Sequence, residues 1–428
     1  MLGGRGLTWP VEPSHRVGSF CLGMGVNEAL SIVQKMGSLD RAEFSFDDQR
    51  PFDVDLTLRL PSWGLQLCFD SYQQDLRLIS VRLQEDEVEQ LEARALAPEL
   101  IYSGQKFNSL GLRDIYQIFG PTWIGDFRVG DSPAYVLRYP GLAFEFPLPE
   151  DMVDALAAKE EHPMDIAGSP SLLWVFAAQA SVQSPSSVVP ELLEAVGVLP
   201  GVGVQLQGRK LRFGAMPQDV VSDFGPPQQV CIKDVDAFRI HSTRTPAKSP
   251  DVDYYYNYFY LGLDALFDGE THSLQKIVLH VNPPTHERFS RYTRCFFELL
   301  LDKKGEAEGA SAGDVLLGEV CEESEPDDLE SHPDTIEKET VDSTERPDAV
   351  RIDVRWQWAD IEEALCRVGG LAKSKPLVMD QEGYTSFGST YFYGFPGLVF
   401  EVMQNGYLAS LTVFRVHSSK LPSIFQRR

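Results

Sequence analysis

The sequence repeats itself over long distances, and this repetition most restricts the folds open to the chain. Residues 139–146 read YPGLAFEF, and residues 391–414 read YFYGFPGLVFEVMQNGYLASLTVF. Both give an aromatic residue, then Pro-Gly-Leu, then Phe-Glu and an apolar residue. In the second stretch an apolar run resumes after Asn405-Gly406, a dipeptide that favours two-residue turns because both residues tolerate positive φ. Each stretch therefore predicts an antiparallel hairpin.

A second pair of stretches shares two fixed spacings. Residues 64–76 read GLQLCFDSYQQDL, and residues 262–274 read GLDALFDGETHSL. In both, Phe-Asp follows the glycine by five residues, and a leucine that opens the next apolar run follows it by twelve. Short apolar runs on either side of a polar turn again predict hairpins.

Upstream of each hairpin lies a stretch with apolar residues at helical spacing. Each begins with an aromatic residue and stops at a glycine. In the third, Pro217 suits the first position of a helix, Asp219 suits its N-terminal turn, and Gly225-Pro226 ends it. The four stretches are residues 20–37, 107–120, 213–225 and 356–369.

These patterns predict an α+β fold of four repeated modules. Each is a short helix followed by an antiparallel β-hairpin or a three-stranded meander, and the modules pair into larger sheets because one helix on three strands buries little. Chance recurrence of hairpins is the alternative, but four copies in one order favour internal duplication. The predicted boundaries are 14–98 (first module), 99–185 (second, with a loop excursion), 200–300 (third), 302–348 (insert) and 349–416 (fourth).

Charge restricts the partners. With 38 basic and 63 acidic residues the chain carries a net charge of −25. Nucleic acid and anionic lipid both need a field of Lys and Arg, so neither is expected as a direct partner. Residues 302–348 hold 17 acidic and 4 basic residues with few apolar ones. That composition predicts a disordered acidic insert.

Cysteine usage and hydropathy predict a soluble, cytoplasmic protein. The six cysteines are scattered singly without a CxxC pair, which is typical of a reducing compartment. The longest apolar stretch, which begins at Leu172, falls short of the ~20 residues needed to cross a bilayer.

Recognised catalytic motifs are missing from the sequence. It contains no GxSxG, no GxxxxGK[ST], no HExxH and no kinase signature. His272, His280 and His286 lie near two acidic residues, and a metal site is one interpretation. No regular element would place them on one face, so we favour histidines that hydrogen-bond loops. We predict no catalytic residue, no metal and no cofactor.

Two neighbouring stretches are candidates for a partner surface. Residues 253–267 read DYYYNYFYLGLDALF, the densest aromatic run, and residues 286–294 read HERFSRYTR, the one basic aromatic stretch. Tyr and Arg are enriched at binding hot spots. The alternatives are tyrosines that line a core and arginines that pair with the chain's own acidic insert. The candidate partner-binding residues are Tyr254, Tyr256, Tyr258, Tyr260, Asn282, Pro284, His286, Arg288, Arg291 and Arg294.

Several long motifs resemble the phagosome assembly factor 1 family. They are RFGAMPQDV, DYYYNYFYLGLDALFDGETH, the spaced set from His280 to Cys295, FCLGMGVNEAL, YPGLAFEFPLP and the C-terminal FGSTYFYGFPGLVFEVMQNGYLASLTVF. The resemblance covers most of the chain outside the acidic insert. Pro283 and Thr285 depart from the family pattern, in which Tyr and Gly stand at these positions.

The resemblance implies an autophagy-linked adaptor and not an enzyme. Family members work in a cytosolic complex with a WD40 β-propeller protein that associates with the phagophore assembly site, the preautophagosomal structure. An acidic chain without a polybasic patch would reach a membrane only through such a partner. The alternative is a small-molecule or lipid-binding protein with pockets between helix and sheet, and an enzyme of unrecognised type is a third class.

Overall fold

The computed structural model describes residues 8–37, 42–84, 98–107, 110–129, 132–149, 151, 153, 164, 166, 168–178, 195–233, 252–302, 349–368, 370–379 and 389–416. The predicted acidic insert lies outside this set except for Asp302. Among the described residues, no helix combines the length and the apolar content needed to cross a membrane.

The first half, residues 8–178, has far more strands than helices. Its helices are α1 (Val26–Lys35) and α2 (Leu112–Phe119). Its strands are β1 (Thr8–Glu12), β2 (Arg16–Val17), β3 (Phe20–Cys21), β4 (Glu43–Ser45), β5 (Leu56–Leu60), β6 (Leu65–Phe69), β7 (Leu76–Arg82), β8 (Glu99–Tyr102), β9 (Gln105–Lys106), β10 (Asp126–Arg128), β11 (Ala134–Tyr139), β12 (Leu142–Pro147) and β13 (Leu172–Phe176).

The second half, residues 195–416, has the same sequence of elements. Its helices are α3 (Pro217–Phe224) and α4 (Trp358–Arg367). Its strands are β14 (Val196–Leu199), β15 (Gly203–Leu206), β16 (Arg209–Arg212), β17 (Gln229–Ile232), β18 (Tyr254–Tyr258), β19 (Leu263–Phe267), β20 (Leu274–His280), β21 (Phe297–Asp302), β22 (Ala349–Asp353), β23 (Leu377–Met379), β24 (Thr390–Phe395), β25 (Leu398–Val402) and β26 (Leu408–Phe414).

The two halves share one sheet topology. The first half forms a five-stranded sheet of order β3-β2-β1-β8-β9 and an eight-stranded sheet of order β10-β11-β12-β13-β7-β6-β5-β4. The second half forms β16-β15-β14-β21-β22 and, read from the opposite end, β17-β18-β19-β20-β26-β25-β24-β23. Even the parallel pair recurs, as β1 with β8 and as β14 with β21. The fold is α+β with repeated modules paired into larger sheets, which confirms the predicted fold class.

Each eight-stranded sheet joins two four-stranded meanders through an antiparallel seam, β7 with β13 or β20 with β26. The sequence predicts the order of helix and meander but at most three strands in each meander. The strands it misses are the outermost ones, β4, β10, β17 and β23, which are only three or four residues long. Such short runs carry too little periodicity to be recognised.

The two shortest helices, α2 and α3, begin and end alike. Asp114 and Asp219 each accept the backbone N–H three residues earlier, at 2.9 Å in both helices. At the other end, the hydroxyls of Tyr139 and Tyr258 each donate to the carbonyl of the glycine that follows the helix, both at 3.1 Å. Because helices of eight residues are marginal alone, these contacts help to fix them on the sheets.

The repeated Pro-Gly-Leu phrase is a hairpin turn that is fixed against a second turn. Gly141 (φ 75°) and Gly397 (φ 81°) lie in the left-handed region, between β11 and β12 and between β24 and β25. A Cβ atom at Gly141 would meet Ser14, and one at Gly397 would lie 2.8 Å from the backbone nitrogen of Gly201. Ser14 and Gly201 occupy the turns after β1 and β14. Glycine is therefore required both by the backbone angle and by close packing.

The repeated Phe-Asp phrase forms a second kind of turn. Phe69 and Phe267 are fully buried at the ends of β6 and β19. The carboxylate of Asp70 accepts the backbone N–H groups of the residues two and three positions later, at 2.8 and 2.7 Å. Asp268 does the same at 3.2 and 2.7 Å. The side chain thus closes the turn that leads into the next strand.

The two-residue turn predicted at Asn405-Gly406 is wrong. The turn spans residues 403–407: the Met403 N–H donates to the Tyr407 carbonyl (2.9 Å) and the Gly406 N–H to the Met403 carbonyl (3.0 Å). Only Gly406 has a positive φ, 83°. The Asn405 amide nitrogen instead donates to the carbonyl (3.0 Å) and carboxylate (2.8 Å) of Asp48 in the first half. A tertiary contact has therefore selected a longer turn.

Each half has its own hydrophobic core. One cluster includes Phe20 and Phe144, and the other includes Phe297 and Phe400, all of them buried. Side chains from each half also pack against the other half's core: Phe289 reaches the first, and Tyr72 reaches the second. The contact between the halves therefore centres on a limited set of loops.

Candidate functional site

The segment that contains most of the predicted partner-binding residues, 281–296, joins β20 to β21. We call it the bridging segment. Pro283 and Pro284 prevent it from continuing as a strand, and successive turns follow, with the His286 N–H donating to the Pro283 carbonyl at 3.1 Å and the Phe289 N–H to the His286 carbonyl at 2.9 Å. It covers the outer face of the second eight-stranded sheet, the face opposite α3 and α4. From there it reaches the first half.

A buried polar cluster holds the bridging segment to β18, β19 and β20. The Asp264 carboxylate accepts the Asn257 amide at 2.7 Å and the Tyr292 hydroxyl at 2.8 and 3.0 Å. His280 Nε2 lies 2.9 Å from the same carboxylate, and the His280 and Tyr292 rings stack with centroids 3.8 Å apart. All four residues are at most 5% exposed.

The ionisation of this cluster follows from its hydrogen bonds. Burial works to raise the pKa of Asp264, but the hydrogen bonds from His280, Asn257 and Tyr292 outweigh burial and lower it. The pKa of Tyr292 is raised, first by burial and then by the Asp264 charge. Asp264 is thus an anion whose partners are all supplied by the chain, and Tyr292 is a neutral donor. The cluster therefore attaches the bridging segment to the sheet.

A second polar contact attaches the bridging segment to the same face of the sheet. His286 Nε2 is 3.3 Å from the Glu401 carboxylate, and the Ser410 hydroxyl donates to the other carboxylate oxygen at 2.6 Å. Burial works to raise the pKa of Glu401, but His286 and Ser410 lower it overall. Glu401 is the glutamate of the repeated Phe-Glu phrase. Its counterpart Glu145 is buried and pairs with Arg128 at 2.8 Å.

The predicted alternative of a metal site at the three histidines is not supported by their positions. His280 pairs with Asp264, His286 pairs with Glu401, and His272 Nδ1 lies 2.9 Å from the Tyr254 hydroxyl. Nowhere in the described part of the chain do three metal-ligating side chains cluster.

Arg294 connects the bridging segment to the first half. Its guanidinium donates to the Val281 carbonyl and to the carbonyls of Ser71 and Tyr72, all at 2.8 Å, and it lies over the Phe52 ring at 4.7 Å. Burial lowers the pKa of Arg294 to about 9, although the charge of Asp70 works in the other direction. This arginine is therefore a link between the halves.

A reciprocal amide pair lies beside Arg294. The Asn282 amide nitrogen donates to the Gln74 side-chain carbonyl at 2.7 Å, and the Gln74 amide nitrogen donates to the Asn282 backbone carbonyl at 2.9 Å. Both residues are buried and both have positive φ, 53° and 64°. Phe289 adds an apolar contact to Phe44, with ring centroids 5.3 Å apart.

The structure does not bring the ten predicted partner-binding residues together on one surface. Tyr254, Tyr256 and Tyr258 face the helix side of the sheet, whereas the bridging segment covers the opposite side. The Tyr258 and Tyr260 hydroxyls donate to the last carbonyls around α3, at 3.1 and 2.6 Å. The buried members are Tyr258, Asn282, Pro284 and Arg294, the half-buried ones are Tyr254, Tyr256 and His286, and the exposed ones are Tyr260, Arg288 and Arg291.

Tyr258, Asn282, Pro284 and Arg294 lie in the interior, so they are not part of the surface that the folded segment exposes. The sequence interpretation does not include Asp264, Glu401 and Gln74, which hold the bridging segment from below. The sequence does mark Asp264, because it is the one charged residue in the otherwise apolar strand β19. Nothing in the local sequence marks Gln74 as a contact with Asn282, more than two hundred residues away.

A groove of about 610 Å³ lies between the β22 strand and α4. Its walls include the five charged side chains of Asp353, Arg355, Asp360, Glu363 and Arg367, together with Trp356 and Tyr407. Pockets for lipids and most small molecules are mainly apolar with few polar groups. The groove's lining therefore does not favour the small-molecule or lipid-binding alternative.

Comparison with known proteins gives a consistent result. The family model "Phagosome assembly factor 1" matches residues 16–175 and 194–414. A PHAF1 protein of Arabidopsis thaliana is 31% identical over 95% of this chain and 92% of its own length. PHAF1 proteins of Drosophila melanogaster and Caenorhabditis elegans are 27% and 25% identical, over 94% and 92% of this chain and 92% and 90% of their own lengths. No solved structure matches the chain.

Proposed function

Since the chain belongs to the phagosome assembly factor 1 family, we propose that it is a non-catalytic adaptor in autophagy. Family membership supports an autophagy-related role. The finer proposal is that the chain forms a cytosolic complex with a WD40 β-propeller protein. That partner takes it to the phagophore assembly site, so that this chain meets the membrane only indirectly.

The observation that carries the proposal is an exposed basic surface on a rigid support. Arg288 and Arg291 project from the bridging segment, while Asp264 and Glu401 hold its buried side. A surface fixed before binding loses little conformational entropy when a partner docks. In a chain of net charge −25, a local basic surface also gives an acidic patch of a partner a specific place to dock.

The titratable groups that lie under the bridging segment support an adaptor better than an enzyme. Asp264, His280 and Tyr292 satisfy one another, and His286 and Glu401 do the same. Catalytic groups need an approach for substrate and a reacting atom within hydrogen-bond reach. Here each side chain is used to hold the segment in place. Of the predicted partner residues, Arg288, Arg291 and Tyr260 are exposed, and Tyr254, Tyr256 and His286 are half-buried.

Affinity purification from eukaryotic cells tests the proposal. A tagged chain should recover a WD40 propeller protein, identified by mass spectrometry. Replacing Arg288 and Arg291 together by Ala should weaken capture by about thirtyfold in affinity if they form a hot spot. Because both side chains are exposed, circular dichroism should remain unchanged. Arg351→Ala, an exposed arginine on β22, is the matched control and should bind normally.

Three results would count against the proposal. Absence of any propeller protein from the wild-type sample would overturn the partner. Equal capture by the double variant and by Arg351→Ala would remove the bridging segment as the surface. Unfolding of the double variant would mean that the two arginines serve the core.

A further inference from the structure

The β17 strand is an outermost strand whose apolar side chains are exposed. It lies at the end of the second eight-stranded sheet, paired on one side with β18. Val230 and Ile232 are 55% and 72% exposed. Exposed apolar outermost strands favour pairing with another chain, and proteins ordinarily cover or charge them. Within the described part of the chain, nothing pairs with the other side of β17.

The backbone of β17 offers hydrogen-bonding groups on that side. The Lys233 N–H donates to the Asp253 carbonyl at 2.8 Å, so the position after β17 belongs to the hydrogen-bonded set facing β18. Hydrogen-bonded positions alternate along an antiparallel ladder. Val230 and Ile232 therefore direct their N–H and C=O groups away from β18. An added strand would find both donors and acceptors there.

The two faces beside β17 differ in chemistry. On the helix side, Val230 and Ile232 lie next to their cross-strand partners Tyr256 and Tyr254, both half-buried. They form an apolar strip four side chains wide, with the two tyrosine rings 5.7 Å apart. This strip includes two of the tyrosines predicted to bind a partner.

The other face is basic. Gln229, Cys231 and Lys233 point to the side that carries the bridging segment. Arg291 Nη2 donates to the Gln229 side chain at 3.3 Å, and the Arg291 guanidinium lies 5.3 Å from the centroid of the Phe259 ring. Among the described residues no carboxylate pairs with Arg291, whereas Lys233 has Asp253 at 3.3 Å. A positive charge is thus available beside the open strand.

The corresponding strand of the first half shows how this chain covers such a position. On β4, Phe44 packs against Phe46 and against Phe289 of the bridging segment, with ring centroids 5.8 and 5.3 Å apart. In the duplicated fold, β17 holds the same place as β4. No described residue of this chain supplies the equivalent aromatic cover to Val230 and Ile232.

We propose that β17 is a strand-addition site for an extended segment of a partner protein. The segment alternates apolar and acidic side chains. Its backbone pairs with Val230 and Ile232, its apolar side chains extend the Val230–Tyr256 strip, and its acidic side chains meet Arg291 on the other face. The identity of the partner as the propeller protein rests on the proposed function, whereas the site itself does not.

The site is tested with the full chain and a short fluorescein-labelled peptide of alternating Val and Glu, by fluorescence anisotropy. The peptide should bind, and its Val-Lys counterpart should bind at least about tenfold more weakly. Ile232→Lys and Arg291→Glu should each abolish most of the binding. Leu377→Lys is the matched control: Leu377 is an equally exposed apolar residue (75%) on the outermost strand β23. Equal binding of both peptides, or loss of binding in the control alone, would overturn the site.

A backbone test separates strand addition from side-chain docking. Val230→Pro removes an N–H that faces away from β18 and leaves the ladder to β18 intact, as proline on an outermost strand allows. It should weaken peptide binding by roughly tenfold with an unchanged melting temperature. Full binding by this variant would contradict pairing through the backbone. Dimerisation of the wild type in sedimentation, lost in Ile232→Lys, would assign the strand to a second copy and overturn the partner.

The same variants distinguish this inference from the proposed function. If Ile232→Lys and Val230→Pro lose the peptide but still capture the propeller protein, the propeller does not dock on β17, while the strand-addition site and the adaptor proposal both stand. If the peptide binds but no propeller protein is recovered with the wild type, the strand-addition site stands and the proposed partner fails.

Discussion

Asp75 is a half-buried aspartate near two other carboxylates, those of Asp70 and Glu28. Burial, together with the smaller effects of the Asp70 and Glu28 charges, raises its pKa to about 6. It follows Gln74, which is hydrogen-bonded to Asn282 in the second half. A carboxyl group that resists ionisation thus lies directly beside the link.

This carboxyl group predicts a pH dependence of stability. Because the folded pKa lies above the ordinary value of 3.8, the folded protein binds more protons than the unfolded chain between these values. The stabilisation is therefore fully present below pH ~4 and is lost as the pH rises through ~6. Asp75→Asn should be more stable than wild type at pH 7 by about 1–2 kcal/mol and equally stable at pH 4.

Urea denaturation at the two pH values measures this difference. Asp53→Asn, at an exposed aspartate nearby, is the control for the loss of one carboxylate charge. A constant gain for Asp75→Asn at both pH values would show that ionisation is not its cause.

At the scale of elements, the repeated phrases are constraints on turns. Gly141 and Gly208 both have left-handed backbone angles, φ 75° and 71°. A Cβ at Gly141 would collide with Ser14, whereas a Cβ at Gly208 would meet nothing within 4 Å. At Gly208 a substitution would strain only the backbone angle. At Gly141 it would strain the backbone angle and also disturb the packing of this turn against the Ser14 turn.

Alanine at these positions gives a matched pair of expected outcomes. Gly208→Ala should cost about 1 kcal/mol, the strain of a left-handed angle with a Cβ. Gly141→Ala should cost about 2–3 kcal/mol because it also displaces the Ser14 turn. Chemical denaturation measures both. Equal losses would mean that the contact between the two turns contributes nothing to stability.

Elements with strong local signals could be predicted, and those defined by distant partners could not. The spacing from an aromatic residue to a glycine indicates the helices. The Gly-Leu and Phe-Asp dipeptides mark the two ends of β6 and β19. The five-stranded sheets escaped prediction because their parallel pairing of β1 with β8 joins segments about ninety residues apart, which no local pattern records. Arg294 and Asn282 read as surface residues because only the contact between the halves buries them.

At the scale of the molecule, two similar units with separate cores are held together by a polar link. Arg294, the Gln74–Asn282 pair and the Asn405–Asp48 contact provide hydrogen bonds between the halves, and Phe289 and Tyr72 provide apolar contacts. Buried polar groups contribute little net stability when satisfied, yet they are costly when one partner is removed. Removal of one of these side chains should therefore weaken the contact between the halves and leave both hydrophobic cores folded.

Arg294→Met tests this expectation, since methionine keeps an unbranched apolar stem and loses the guanidinium. Three buried carbonyls lose their donor, at a cost of about 3 kcal/mol. Hydrogen exchange should accelerate around residues 71–74 and 281–296, while β6 and β19 remain protected. Arg291→Met, at an exposed position, should leave the exchange pattern unchanged. Uniform acceleration throughout both sheets would show instead that the halves unfold as one unit.

The seams of the eight-stranded sheets have a consequence for synthesis. The β7 strand ends at Arg82, but its neighbour β13 begins at Leu172; likewise β20 ends at His280 and β26 begins at Leu408. A ribosome adds ~5–20 residues per second, so each inner strand waits on the order of ten seconds for its neighbour. During that time a long, apolar strand is open to other nascent chains. The yield of native protein should therefore depend on the speed of translation and on chaperones that shield these strands.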